Sequence, residues 1–137
     1  MSICTASDYN KIARAITNFN IQNLPAGSST GMCVLGLVLK QPNSKIIGGI
    51  TGRLLLGNCL SIEILWVEGE FRLQGYATRL LLALEQEAKM RGSNLSQVDT
   101  FDFQALGFYE KNGYTIFGVL DDCPTAGHKR YYLKKVL

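Results

Sequence analysis

Apolar positions recur with a helical period in two long stretches and with a strand period through most of the rest of the chain. Residues 61–67 read Ser-Ile-Glu-Ile-Leu-Trp-Val, an apolar strand, and Glu68-Gly69-Glu70-Phe71 reads as a turn. Beyond Arg72 a long amphipathic helix is expected. Ala77, Leu80, Leu81, Leu84 and Ala88 fall at three- and four-residue steps and share one face. Glu85–Lys89 and Glu87–Arg91 are spaced as i,i+4 ion pairs on the other side, and Gly92 stands where a C-terminal cap belongs. An earlier helix is expected from Asp8 to about Gln22, with Ile12, Ala13, Ile16 and Phe19 on its apolar face and Ser7 or Asp8 as its cap.

Between these helices, Leu24 to Gly31 is a loop by its Gly, Pro and Ser content, and a strand follows from Met32 to Lys40. After a turn at Gln41–Ser44, a strand from Ile46 to Leu56 is interrupted at Gly48-Gly49, where a bulge or a close backbone approach is expected. Gly57-Asn58 is a hairpin signal. Further on come a strand at Leu95–Thr100, a short helix at Phe103–Lys111 and strands at Tyr114–Leu120 and His128–Val136. Asn112-Gly113 should end the short helix in a left-handed turn. This order predicts an α+β chain with α/β-type layering: a mixed central sheet flanked by helices on both faces, in one domain spanning 1–137.

Composition narrows the classes. With 47% hydrophobic and 18% charged residues in 137, the chain can bury a core and is not disordered. No apolar run approaches the roughly 18 residues of a membrane span, and no signal pattern opens the chain, so neither membrane nor export is expected. Cys4, Cys33, Cys59 and Cys123 lack C-x-x-C spacing, which points to free thiols in a reducing cytoplasm and no metal site. The net charge of +3 is too small to suggest a nucleic-acid partner. Lys129, Arg130, Lys134 and Lys135 read as a solvated strand edge.

The start of the long helix carries the chemistry. No Ser, Thr, Asp or Asn precedes it, so its first amides lack a side-chain cap and can take an anion at the positive end of the helix dipole. Gly75 and Ala77 leave room there, and Arg72 adds charge. There is no G-x-x-x-x-G-K-[ST] and no G-x-G-x-x-G after a strand, against a nucleoside triphosphatase or a dinucleotide enzyme.

What stands here is R-x-x-G-x-A, at Arg72, Gly75 and Ala77, which resembles the acyl-CoA pyrophosphate signature of the GNAT superfamily of N-acetyltransferases. A second segment resembles the family's A-x-x-F-Y-x-K-x-G-[FY], matched at Ala105, Phe108, Tyr109, Lys111, Gly113 and Tyr114. Together the matches cover roughly 46–137. The chain looks most like a group of small bacterial GNAT proteins with unassigned acceptors. That group shares the I-x-x-L-W-V strand (62–67), the T-F-x-F-Q-A segment (100–105) and the G-H-x-R-Y-x-L-x-K ending (from Gly127).

The resemblance implies acetyl-CoA as cosubstrate, in a cleft where the family's fourth and fifth strands splay apart. Backbone groups of Trp66 and Val67 would bond the pantetheine arm, and the amides of Leu73, Gln74, Gly75, Tyr76, Ala77 and Thr78 would hold the pyrophosphate. The acceptor would be a primary amine of a small molecule or peptide. Freeing a lysine-like amine of pKa about 10.4 at pH 7 costs about 4.6 kcal/mol, so a base is required. Glu63 on the central strand is the candidate, with water as the other option and Glu68 and Glu70 as weaker ones. Tyr109 matches the family's general acid for the departing thiolate, and Phe108 should point into the core. Asp102 stands where many members carry Asn and is expected to cap the Phe103 helix. His128, the only histidine, reads as structural before catalytic. Ser2–Thr5 offers only a stub of a first strand. The family often forms dimers, so a homodimer is an expectation. A module that binds acyl-CoA without transferring it is the alternative, and Tyr109 argues against it.

Overall fold

A computed structural model describes residues 2–25, 33–55 and 58–137. The expected loop from Ala26 to Gly31 and Gly57 of the hairpin signal lie outside the described residues. Contacts divide the chain into two compact units, 1–30 and 31–137, where the pattern predicts one domain.

The first unit holds α1 (Ala6–Asn23). Its cap is Thr5, ahead of the Ser7 or Asp8 that the sequence suggests. The Thr5 hydroxyl oxygen accepts from the Asp8 amide, and the Asp8 carboxylate accepts in return from the Thr5 amide. A reciprocal pair satisfies two amides where a single cap satisfies one, which places the helix start two residues earlier. No strand forms at residues 2–5.

In the second unit, β1 (Cys33–Lys40), β2 (Ile46–Leu55), β3 (Cys59–Val67), β4 (Leu95–Phe101), β5 (Thr115–Asp121) and β6 (Lys129–Val136) form one mixed sheet in the order β1-β2-β3-β4-β6-β5. The close-approach alternative holds at Gly48 and Gly49, where an added Cβ would lie 3.0 Å from Trp66 O and 3.1 Å from Leu37 O. The register shift between β2 and β3 falls instead at Thr51/Gly52. There a Cβ on Gly52 would come within 2.7 Å of Ser61 O, so only glycine fits.

Leu80, Leu81, Leu84 and Ala88 of α2 (Tyr76–Met90) are buried with Ile50, Leu54, Leu60 and Ile62 of the sheet in one core. Each fully buried leucine contributes roughly 1.5–3 kcal/mol. Ala77 sits at the margin of this cluster. Gly92, at φ +90°, completes the helix end: its amide bonds Lys89 O and that of Ser93 bonds Ala88 O. Glu87 pairs with Arg91 at 2.7 Å as expected. Glu85 does not pair with Lys89. It is buried and accepts from Lys135 Nζ at 2.7 Å and from the Tyr114 hydroxyl at 2.9 Å, because its helix position faces β6 rather than solvent.

The short helix α3 (Leu106–Lys111) starts three residues later than the sequence suggests. Gln104 Oε1 accepts the Phe101 amide and Thr100 Oγ1 accepts the Ala105 amide, so side chains hold residues 102–105 as a turn. At its end only Gly113 is left-handed, at φ +87°, while Asn112 stays at φ −95°.

One departure from regularity makes the site. β3 and β4 are parallel neighbours only from Cys59–Ser61 against Leu95–Gln97, and beyond that they diverge.

Candidate active site

The divergence of β3 from β4 opens a cleft of about 620 Å³. Glu63, Leu65, Trp66 and Val67 line it from one strand, Val98, Asp99 and Thr100 from the other, and Phe108 and Tyr109 from α3. The Glu68 amide donates to Ile47 O, so strand alternation turns the Trp66 amide and carbonyl toward β2, where Trp66 is paired with Gly49. The main-chain groups of Leu65 and Val67 therefore face the cleft. Arg72 Nε donates to Val67 O at 2.9 Å and occupies that carbonyl. Among the described residues the Val67 amide and both main-chain groups of Leu65 have no strand partner on that side, and such groups need a bonding partner. Trp66 thus lines the cleft, but its main-chain groups turn to β2 and not to the cleft as anticipated.

A second pocket, of about 280 Å³, lies against the start of α2 and shares Val67, Arg72, Ala77 and Phe108 with the first. The two adjoin along these shared residues. Arg79 is the first residue of α2 whose amide bonds a carbonyl of its own turn, Gly75 O at 3.0 Å. The amides of Tyr76, Ala77 and Thr78, ahead of it, belong to residues lining the pocket. Gly75 caps the helix at φ +80° with no side-chain bond, and a Cβ built on it would meet nothing within 4 Å. This tip is open space backed by donors and a guanidinium, which suits a diphosphate. Leu73, also at positive φ, lines the pocket, whereas the Gln74 side chain turns away to Glu70 O.

At the far end of the cleft, the Tyr109 ring is buried and packs edge-to-face on Phe108 and Tyr114, at centroid distances of 5.2 and 5.5 Å. Its hydroxyl has no hydrogen-bond partner among the described residues. Burial, and then the negative charge of Asp99, push the phenol from an ordinary 10.0 up to about 12. It is a neutral O–H donor at any physiological pH.

The sequence pattern of the Acetyltransferase (GNAT) family matches residues 9–114. The chain belongs to this family. An acetyltransferase of Bacillus cereus, known from its crystal structure, superposes with a TM-score of 0.91 at 34% identity, over 100% of this chain and 96% of that one. An acetyltransferase of Agrobacterium fabrum is 34% identical over 101 residues, 74% of this chain and 72% of that protein. The blasticidin-S acetyltransferase of Streptomyces morookaense is 36% identical over 81 residues, 58% of this chain and 59% of that one.

In this GNAT acetyltransferase, Glu63 lines the cleft, and its Oε1 lies 2.7 Å from Arg53 Nε on β2. Glu68 and Glu70 line neither pocket. Phe108 is half-buried in the wall shared by both pockets; the deeply packed ring is Tyr109, because the start of α3 at Leu106 rotates residue 109 inward. Asp102 caps no helix. Its Oδ1 accepts from the Phe103 amide at 3.0 Å and lies 3.1 Å from His128 Nδ1, while the residue before α3 makes no side-chain cap bond. His128 is not among the residues lining the cleft; it meets edge-on the ring of Phe103, which does line it. Asp99 is the site residue that sequence reasoning missed. It faces the cleft, and Arg130 holds its Oδ2 through Nε at 2.7 Å. Strand alternation opposite buried Ser96, Val98 and Thr100 was the available signal. Among the described residues no group of three or more His, Cys, Asp or Glu is placed to hold a metal.

Proposed function

We propose that this acetyltransferase moves the acetyl group of acetyl-CoA to a primary amine by direct attack. The observation that carries the proposal is that the pocket at the uncapped tip of Gly75 and the cleft lined by Tyr109 adjoin, with Arg72, Val67, Ala77 and Phe108 in the walls of both. Acetyl-CoA supplies an activated thioester with a diphosphate at one end and a pantetheine arm between. The amides of Tyr76, Ala77 and Thr78 grip the diphosphate, and the Leu65 and Val67 backbone bonds the arm as an added strand would. Anchored at both ends, the thioester is aimed at the splay, which removes most of the entropy of encounter.

The amine nitrogen bonds the carbonyl carbon, the carbon–sulfur bond breaks, and Tyr109 donates to the departing sulfur. A phenol held near 12 still serves, because the burial that raises it also destabilises the bare thiolate beside it. The proton shed by the amine passes to Glu63 or to a water bound there. The family match starts inside α1 and runs on through β1 to β4 and α3, which supports reading the two units as one domain.

The acceptor class is a small-molecule or peptide amine. The blasticidin-S relative supports starting from antibiotic amines. A screen of acetyl-CoA against blasticidin S, aminoglycosides, polyamines, amino acids and peptides tests the reading through thiol release and mass of the product. At least one amine should raise thiol release above hydrolysis and gain an acetyl group. A protein that neither bound CoA nor acetylated any of these would overturn it.

A further inference from the structure

Four elements meet beneath Tyr109 in a polar junction that the reaction scheme does not use. Tyr114, 2% exposed, follows α3, and its hydroxyl donates to Glu85 Oε1 on α2 at 2.9 Å. The same hydroxyl lies 2.8 Å from Ser96 Oγ on β4, a side chain with no exposure. Lys135 on β6 closes the junction with Nζ 2.7 Å from Glu85 Oε2 and 5.6 Å from the centre of the Tyr114 ring.

This junction is joined to Tyr109 twice. The Tyr114 amide bonds Tyr109 O at 3.1 Å, and the two rings meet edge-to-face at 5.5 Å and 70°. α3 has six residues and no side-chain cap at its start, so it cannot fix the direction of Tyr109 alone. The buried carboxylate would be an expensive way to gain stability only, since replacing such groups with apolar ones is often neutral or better. It does give Tyr114 one orientation, because both its donor and acceptor directions are used.

We infer that Tyr114, clamped by Glu85, Ser96 and Lys135, is a positioning residue that sets the ring of Tyr109 and so the point at which its hydroxyl meets the departing sulfur. The inference rests on the acetyl-transfer reading. Tyr114→Phe keeps the ring and releases both hydroxyl bonds. The test is thiol release from acetyl-CoA, with water as acceptor and with whichever amine the screen identifies.

Tyr114→Phe should lower kcat about tenfold and leave the KM for acetyl-CoA within about twofold, as expected for a misaimed group away from the binding contacts. Adding Tyr114→Phe to Tyr109→Phe should bring no further loss, because an absent hydroxyl cannot be misaimed. Ser96→Ala and Glu85→Gln, milder changes to the same clamp, should each lower kcat by about threefold at unchanged KM. If Tyr114→Phe fails to fold, these two carry the test. Unchanged kcat in the clamp variants, or losses that multiply with that of Tyr109→Phe, would show a purely structural junction and overturn the inference while leaving the reaction scheme intact. Normal turnover in Tyr109→Phe would remove Tyr109 as the acid, and this inference with it, while acetyl transfer to an amine would stand.

Discussion

Tyr109 joins two properties that rarely coincide, a ring packed among aromatics and a hydroxyl with no hydrogen-bond partner among the described residues. The first fixes the second in space, and burial keeps it protonated. Tyr109→Phe should therefore retain CoA affinity and lower kcat by about 100-fold, the lower range for a general acid, as read by steady-state kinetics beside calorimetric binding. Its titration follows from the same packing. Since folding raises this phenol from 10.0 to about 12, its contribution to stability is complete below pH 10 and is lost as pH climbs through 12. An ultraviolet alkaline titration should show tyrosines ionising late, and Tyr109→Phe should remove the component near 12 while leaving that of Tyr114, which burial also pushes up. A chain in which all tyrosines titrate near 10 would contradict the burial argument. At this scale the segment matches made Tyr109 legible. Asp99 was not, because a carboxylate in an alternating strand looks solvated until the neighbouring strand is known to swing away.

At the scale of elements, the tip of α2 carries the binding argument. Gly75 is needed twice there, for its positive φ and for the open space before the amides. Gly75→Glu should weaken CoA binding by at least about 100-fold, through lost volume, strain and a charge that opposes the diphosphate. Gly75→Ala, with strain but little bulk and no charge, should fall between. Calorimetry on both, with circular dichroism to confirm the helix, separates the causes; equal affinity in Gly75→Glu and wild type would remove the cradle. The missing cap, the apolar face and Gly92 were readable from the sequence because they depend on neighbours within a turn or two. The starts of α1 and α3 were misplaced by two or three residues, since Thr5, Thr100 and Gln104 offered backbone bonds that a hydrophobic period does not register.

Across the whole molecule, CoA binding and folding should be linked. A ligand that holds α2, β3 and α3 together favours the folded chain, by about 2.7 kcal/mol at a concentration of 100 Kd. Thermal unfolding of wild type should shift upward with CoA by several degrees, and Gly75→Glu should show no shift. A wild-type melting temperature indifferent to saturating CoA would mean that these elements do not share the ligand. Among the described residues, no helix is long and apolar enough to cross a membrane.

Hydrophobic period, the uncapped helix and two short motifs were enough to determine the family's layered sheet and to single out Arg72, Gly75 and Tyr109, which line the two pockets, because each is written in residues close together in the chain. Three things were decided only by tertiary structure. They are the buried role of Glu85, the turn of the Val67 and Leu65 backbone toward the cleft in place of Trp66, and the approach of Asp99 to a phenol ten residues away. Each depends on which groups a distant strand leaves unpaired or covers, and no local spacing encodes that.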